Sequence, residues 1–167
     1  MSATVTLEPW GSGDLPLLER LMGDAQMTEH LGGPESPEKL RERQGRYEQL
    51  EGGDRMFKIV DAESGAGVGS VGFWAKEWGD GQVYEIGWMV VPEFQGRGIA
   101  VAATAQAIEL ARADDKHRFM HAFPNVENAP SNAICRKLGF ELLEALEFEF
   151  PKGHFMVCND WRLDLRA

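Results

Sequence analysis

"EFQGRGIA" occupies residues 93–100, between the apolar run "VYEIGWMVV" at 83–91 and the alanine-rich stretch "VAATAQAIELAR" at 101–112. The junction reads as a strand becoming a helix. Ser, Thr, Asp and Asn, whose side chains usually satisfy the first N–H groups of a helix, are absent from it, so those donors need another partner. Two glycines, Gly96 and Gly98, remove the Cβ atoms that would hold a ligand off the backbone, and the positive end of the helix dipole favours an anion there. The stretch is therefore a candidate phosphate loop, although glycines alone equally suit a plain strand-to-helix turn.

Working outward, "RMFKIVD", "GVGSVGFWA" and "QVYEIGWMVV" are successive strand-like runs separated by "ESGAG" and "WGDG", which predicts an antiparallel meander before the loop. Before it, "ATVTLEPW" alternates like a strand, and Leu15, Leu17, Leu18 and Leu21 have helical spacing. A second, charged helix is expected from Ser36 and Pro37 to the Gly52–Gly53 pair. After the loop come a helix, a strand "RFMHAFPN", a short helix "APSNAICRKL" and two strands, "ELLEALEFEF" and "HFMVCNDWRLDL", joined at "PKG". The pattern is a mixed sheet flanked by helices with one strand–helix–strand crossover.

The chain has 167 residues, 43% hydrophobic and 26% charged, which suits a single domain spanning 1–167. Its formal charge of -10 argues against nucleic acid or an anionic membrane as partner, and tolerates a cationic amine better. Cys135 and Cys158 form no CxxC pattern and the histidines have no metal spacing, so neither a disulfide framework nor a metal site is expected. No signal peptide or membrane span is read, which leaves the cytoplasm as the default location.

Three phosphate-loop readings compete for "QGRGIA". A nucleotide P-loop needs Lys followed by Ser or Thr after its last glycine, and neither occurs. A dinucleotide fingerprint needs a small residue where Val101 stands and belongs on the first strand of a parallel unit. "GAGVGS" at 65–70 has no helix after it and reads as a hairpin turn. The third reading fits: Gln95, Gly98 and Ala100 match the Q/R-x-x-G-x-G/A pyrophosphate loop of the GNAT superfamily of acetyl-CoA-dependent N-acetyltransferases, which the order of elements also resembles. Downstream, "NVENAPSNAICRKLGFE" is similar to the Asn-x-x-Ser and Lys-Leu-Gly-Phe stretch of the branch that includes ribosomal-protein N-terminal acetyltransferases.

The resemblance implies an α/β (α+β) fold, with a twisted, mostly antiparallel sheet of about seven strands, splayed at its centre and flanked by about four helices. It implies acetyl-CoA as acyl donor without a metal, an amine acceptor on a small molecule or a peptide, and a monomer or homodimer. Backbone N–H groups of Gly96, Arg97, Gly98, Ile99 and Ala100 would hold the pyrophosphate, with the Arg97 side chain at the rim. Met89, Val90 and Val91 would pair with the pantetheine arm as a strand does, the free N–H near Val90 facing the thioester oxygen. Asn125 and Asn128 suit the amides of that arm or simply form the loop. Ser131 would protonate the departing thiolate or cap the short helix. Glu85 alternates with Gly87 and Met89, and the missing side chain at Gly87 leaves room for an amine beside a candidate general base. His121 and Tyr84 are weaker alternatives. Direct attack in a ternary complex is the leading expectation, and a non-catalytic acyl-CoA sensor or interaction module is the alternative. Acceptor selection is expected from the helices at about 14–50 and the "FEFPKGHF" hairpin.

Overall fold

A computed structural model describes residues 3–167. Strands β1 (Val5–Pro9), β2 (Arg55–Asp61), β3 (Gly67–Trp78), β4 (Gly81–Val90), β5 (Phe119–Ala122), β6 (Glu141–Glu149) and β7 (Phe155–Asp164) form one seven-stranded sheet. Its order is β1-β2-β3-β4-β5-β7-β6, and every neighbouring pair is antiparallel except β4 and β5. The helices are α1 (Leu15–Met22), α2 (Pro37–Glu48), α3 (Ile99–Asp114) and α4 (Ala129–Lys137). None of the helices among the described residues is long and apolar enough to cross a membrane.

Local chemistry accounts for most of the boundaries. The Ser36 side chain accepts the Lys39 N–H at 3.2 Å with Pro37 in the first turn, which starts α2 where a cap and a proline predict it. The helix ends at Glu48, four residues before the Gly52–Gly53 pair. Buried Val71 and Phe73 on β3, Ile86 on β4 and Met120 on β5 share a core with Ala103, Ala107 and Ala111 of α3. Alanine at four-residue spacing lets a helix approach a sheet closely, and each large apolar side chain removed from water contributes about 1.5–3 kcal/mol.

The feature that positions the site is the seam between β4 and β5. These strands are paired only at Tyr84↔Met120 and Glu85↔His121. β4 continues along β3 to Val90, whereas β5 stops at Ala122. The expected strand through Asn125 is cut short because Pro124 has no N–H to donate to a ladder. The two strands therefore part, and β4 has a free edge facing a wedge-shaped opening.

Candidate active site

The opening continues into a cavity of about 500 Å³ bordered by β4, the 95–100 loop, α4, the α1–α2 segment and the β6–β7 hairpin. Glu85, Met89, Val90, Gln95, Ala100, Asn125, Asn128 and Ser131 all line it. Residues expected at both ends of a two-substrate site thus face one space.

The loop at the start of α3 has the predicted geometry. Gly98 is the residue before the first helical turn, has φ of 79°, and provides no side-chain cap. Gly96 has φ of 75°, and a Cβ at either glycine would meet nothing within 4 Å. Glycine is required there by backbone conformation, and the space outside it is open to a ligand. Ile99 buries its side chain in the core, anchoring the first turn. Arg97 donates to the Glu93 carbonyl at 3.0 Å and lies over the Phe94 ring, so its exposed guanidinium is folded back along the loop.

Hydrogen bonds anchor both ends of the loop, and those of Val91 correct one expectation. The Gln95 side-chain amide donates to the Val90 carbonyl at 2.9 Å and so braces the loop against the end of β4. Val91 is fully buried. Its N–H donates to the Val68 carbonyl and its own carbonyl accepts the Phe94 N–H, so its backbone is committed and cannot pair with an arm on the free edge. The same bond fixes the parity of the ladder. Because adjacent N–H groups alternate across a strand, the N–H groups of Val90 and Trp88 are directed away from β3 toward the opening.

At the far side of the opening Asn128 caps α4, accepting the Ser131 N–H at 3.2 Å. Ser131 is therefore not the cap, and the residue lines the cavity. The Asn125 side chain accepts the Glu127 N–H at 2.9 Å, so both asparagines shape the loop. The sequence gives no hint of what holds them. Buried Asn132 donates to the Asn125 and Asn128 carbonyls at 3.0 and 2.9 Å and accepts from Asn159 and the Trp161 indole, both at 2.8 Å.

Glu85 is half-buried between Trp74 on β3 and His121 on β5, its register partners on either side. Burial pushes its carboxyl above the ordinary value, opposed by Lys76, whose Nζ lies 3.6 Å away. The Trp74 indole narrows the room expected beside Gly87, where a Cβ would lie 3.2 Å from it, and Glu85, Gly87 and Trp74 all line the cavity. His121 is buried with Nδ1 2.5 Å from Asp160 Oδ1, and Asp160 also accepts from the Trp78 indole at 3.1 Å. Lys76 beside Glu85 and Asp160 beside His121 are the charged groups that sequence reading missed, because strand register and sheet order bring them there. Tyr84 belongs to the opposite face, fully buried, with its hydroxyl accepting the Lys116 N–H. Among the described residues no group of three or more His, Cys, Asp or Glu is arranged to hold a metal.

A strand with a free edge, beside a helix that starts on two left-handed glycines, is the arrangement the loop motif implied. The sequence matches the acetyltransferase (GNAT) domain family over residues 4–141. The chain belongs to that family. Solved structures agree on the fold. A GNAT-family acetyltransferase from Bacillus anthracis superposes with a TM-score of 0.81 at 19% identity, covering 100% of this chain and 99% of the other. The spermidine N-acetyltransferase of Vibrio cholerae, in complex with CoA and spermine, gives 0.81 at 20% identity over 97% and 96%. An aminoglycoside acetyltransferase in complex with coenzyme A gives 0.77 at 17% identity over 96% and 95%. Among curated proteins, none matches the sequence at a significant level.

Proposed function

We propose that this GNAT chain transfers the acetyl group of acetyl-CoA to a primary amine by direct attack in a ternary complex. The observation that carries the reading is the continuity of the cavity. The free edge of β4 borders the same space as the half-buried carboxylate of Glu85, and the loop before α3 reaches that space through Gln95 and Ala100. A pure coenzyme-binding module has no need of a buried base at the end of its groove.

In this reading the N–H groups at the start of α3 hold the pyrophosphate, and those of Trp88 and Val90 meet the pantetheine arm and the thioester oxygen. Glu85 accepts the proton of the attacking ammonium through water, its raised pKa bringing it nearer neutrality. As the new C–N bond forms and the C–S bond breaks, the nitrogen gives up its second proton, which the Ser131 hydroxyl relays to the departing thiolate. A thiol's reference pKa of about 8.5 makes that last step helpful rather than essential. The neighbours acting on spermidine and aminoglycosides support an amine acceptor. The likeness to the ribosomal-protein N-terminal acetyltransferase branch rests on the α4 segment and does not reach the acceptor end. Two free, buried cysteines suit the reducing cytoplasm.

The test is thiol release from acetyl-CoA across an amine panel, with thermal stabilisation by CoA measured in parallel. Amine-dependent release with intersecting two-substrate kinetics supports the reading. Stabilisation by CoA without release for any amine assigns the chain to the binding-module alternative.

A further inference from the structure

Five of the chain's seven methionines, Met22, Met27, Met56, Met89 and Met156, line the cavity around Glu85. They come from α1, the segment after it, β2, β4 and β7, so parts of the chain far apart in sequence each contribute a thioether to one wall. Tyr47, Trp74, Phe123 and Phe150 line the same space. The floor is apolar as well. Gly72 and Gly87 are cross-strand partners, and a Cβ on them would fall 2.8 Å from the Met56 sulfur and 3.2 Å from the Trp74 indole.

Charge is scarce and already paired. Among the described residues the carboxylates on the lining are Glu29 and Glu85 alone. Glu85 faces Lys76 at 3.6 Å, and exposed Glu29 lies 3.6 Å from His30 at the rim. Arg43, the lining guanidinium, is gripped by both carboxylate oxygens of Glu35 at 2.7 and 2.8 Å. A polycation needs carboxylates spaced to match its charges, and this wall offers no such series. Thioethers are flexible, polarisable and favourable against aromatic rings, and surfaces rich in them adapt to apolar partners of differing shape.

We propose that the acceptor is a primary amine on an apolar, preferably aromatic, body, taken with tolerance for shape, rather than a polyamine or an amino sugar. The inference rests on the acetyl-transfer reading for its chemistry and on the wall for its specificity. The acid–base end holds the amino group, and the methionine and aromatic wall holds the body.

The experiment uses the full chain with 2-phenylethylamine, ethylamine and spermidine. Thiol release is followed at saturating acetyl-CoA, and each amine is titrated calorimetrically into the CoA-saturated protein. The expected result is a kcat/KM for 2-phenylethylamine about 100-fold or more above ethylamine and at least about tenfold above spermidine, the scale on which an apolar pocket discriminates. Met56→Gln combined with Met156→Gln is expected to shrink the phenylethylamine-to-ethylamine ratio by about tenfold while CoA still raises Tm by the parental amount. A preference for spermidine, or a ratio near unity, overturns the inference and leaves acetyl transfer standing. If no amine is turned over, calorimetry decides alone. Tighter binding of 2-phenylethylamine than spermidine keeps the apolar site while removing the catalytic reading, and the reverse order removes both.

Discussion

His121 Nδ1 and Asp160 Oδ1 lie 2.5 Å apart in the protein interior, both side chains 5% exposed, immediately beside the register partner Glu85. Asp160 satisfies the buried imidazole and the Trp78 indole together. Asp160→Ala leaves both groups without an acceptor and is expected to cost about 1–3 kcal/mol for each. Asp160→Asn keeps an acceptor oxygen and is expected to cost less. Urea unfolding of the two variants checks the order, and equal stability of parent and Asp160→Ala would show that the pair contributes nothing.

Glu85→Gln is expected to slow the enzyme and strengthen the fold. For a lysine-like amine, kcat/KM at pH 7 should fall by about 10² to 10⁴, recovering at high pH as the amine loses its own proton. For an α-amine the loss should be smaller, because less work is asked of the base. The stability effect has the opposite sign. A carboxyl whose folded pKa is raised binds its proton more tightly in the native state, so stability falls as pH rises through the interval between the unfolded and folded values. Removing the charge should make the variant more stable than the parent at neutral pH, with the difference vanishing below about pH 4. Thermal melts from pH 3 to 8 beside pH–rate profiles measure both, and superimposable profiles would take Glu85 out of catalysis.

Gly98 separates backbone strain from charge. Gly98→Ala meets no neighbour, yet its left-handed φ is expected to cost about 1–2 kcal/mol. Gly98→Asp carries the same strain and adds a negative charge at the start of α3, so acetyl-CoA affinity should fall more than tenfold beyond the alanine variant. Calorimetric titration of both folded variants tests this. Equal affinities would mean that the loop does not hold an anion.

Cys135 and Cys158 should be silent toward thiol reagents in the native protein. Both are buried, and burial pushes the Cys135 thiol up to about 12 and raises that of Cys158. An aromatic disulfide reagent at pH 8 is expected to titrate no thiol in the folded chain and two after denaturation. Rapid native labelling of Cys135 would show that its thiol is accessible and overturn this expectation.

The order of strands and helices was legible along the whole chain because its signals are local. Two glycines and an alanine-rich helix mark the loop, and turn residues mark the meander. The other determinants depend on which strand lies beside which. Nothing in "CNDWRLDL" shows that Asp160 meets His121, since that follows from β7 inserting between β5 and β6. Asn132 looks like an ordinary helical residue until its four partners converge. Glu85 could be singled out by alternation with Gly87, but alternation does not reveal that the Trp74 indole borders the space at that glycine. The methionine wall is illegible for the same reason: its members lie on five separate segments.

The short seam between β4 and β5 has a mechanical consequence. The strands β1 to β4 and β5 to β7 form two plates whose hydrogen-bonded junction is two residue pairs long. An acyl donor lying along the free edge of β4 would lengthen that junction from one side, serving as mortar between the plates as well as reagent. Amide hydrogens of Trp88 and Val90 would then exchange more slowly with deuterium once CoA is bound, and the acceptor wall, built from both plates, would reach its working shape only afterwards. Order of addition would follow from architecture: coenzyme first, amine second.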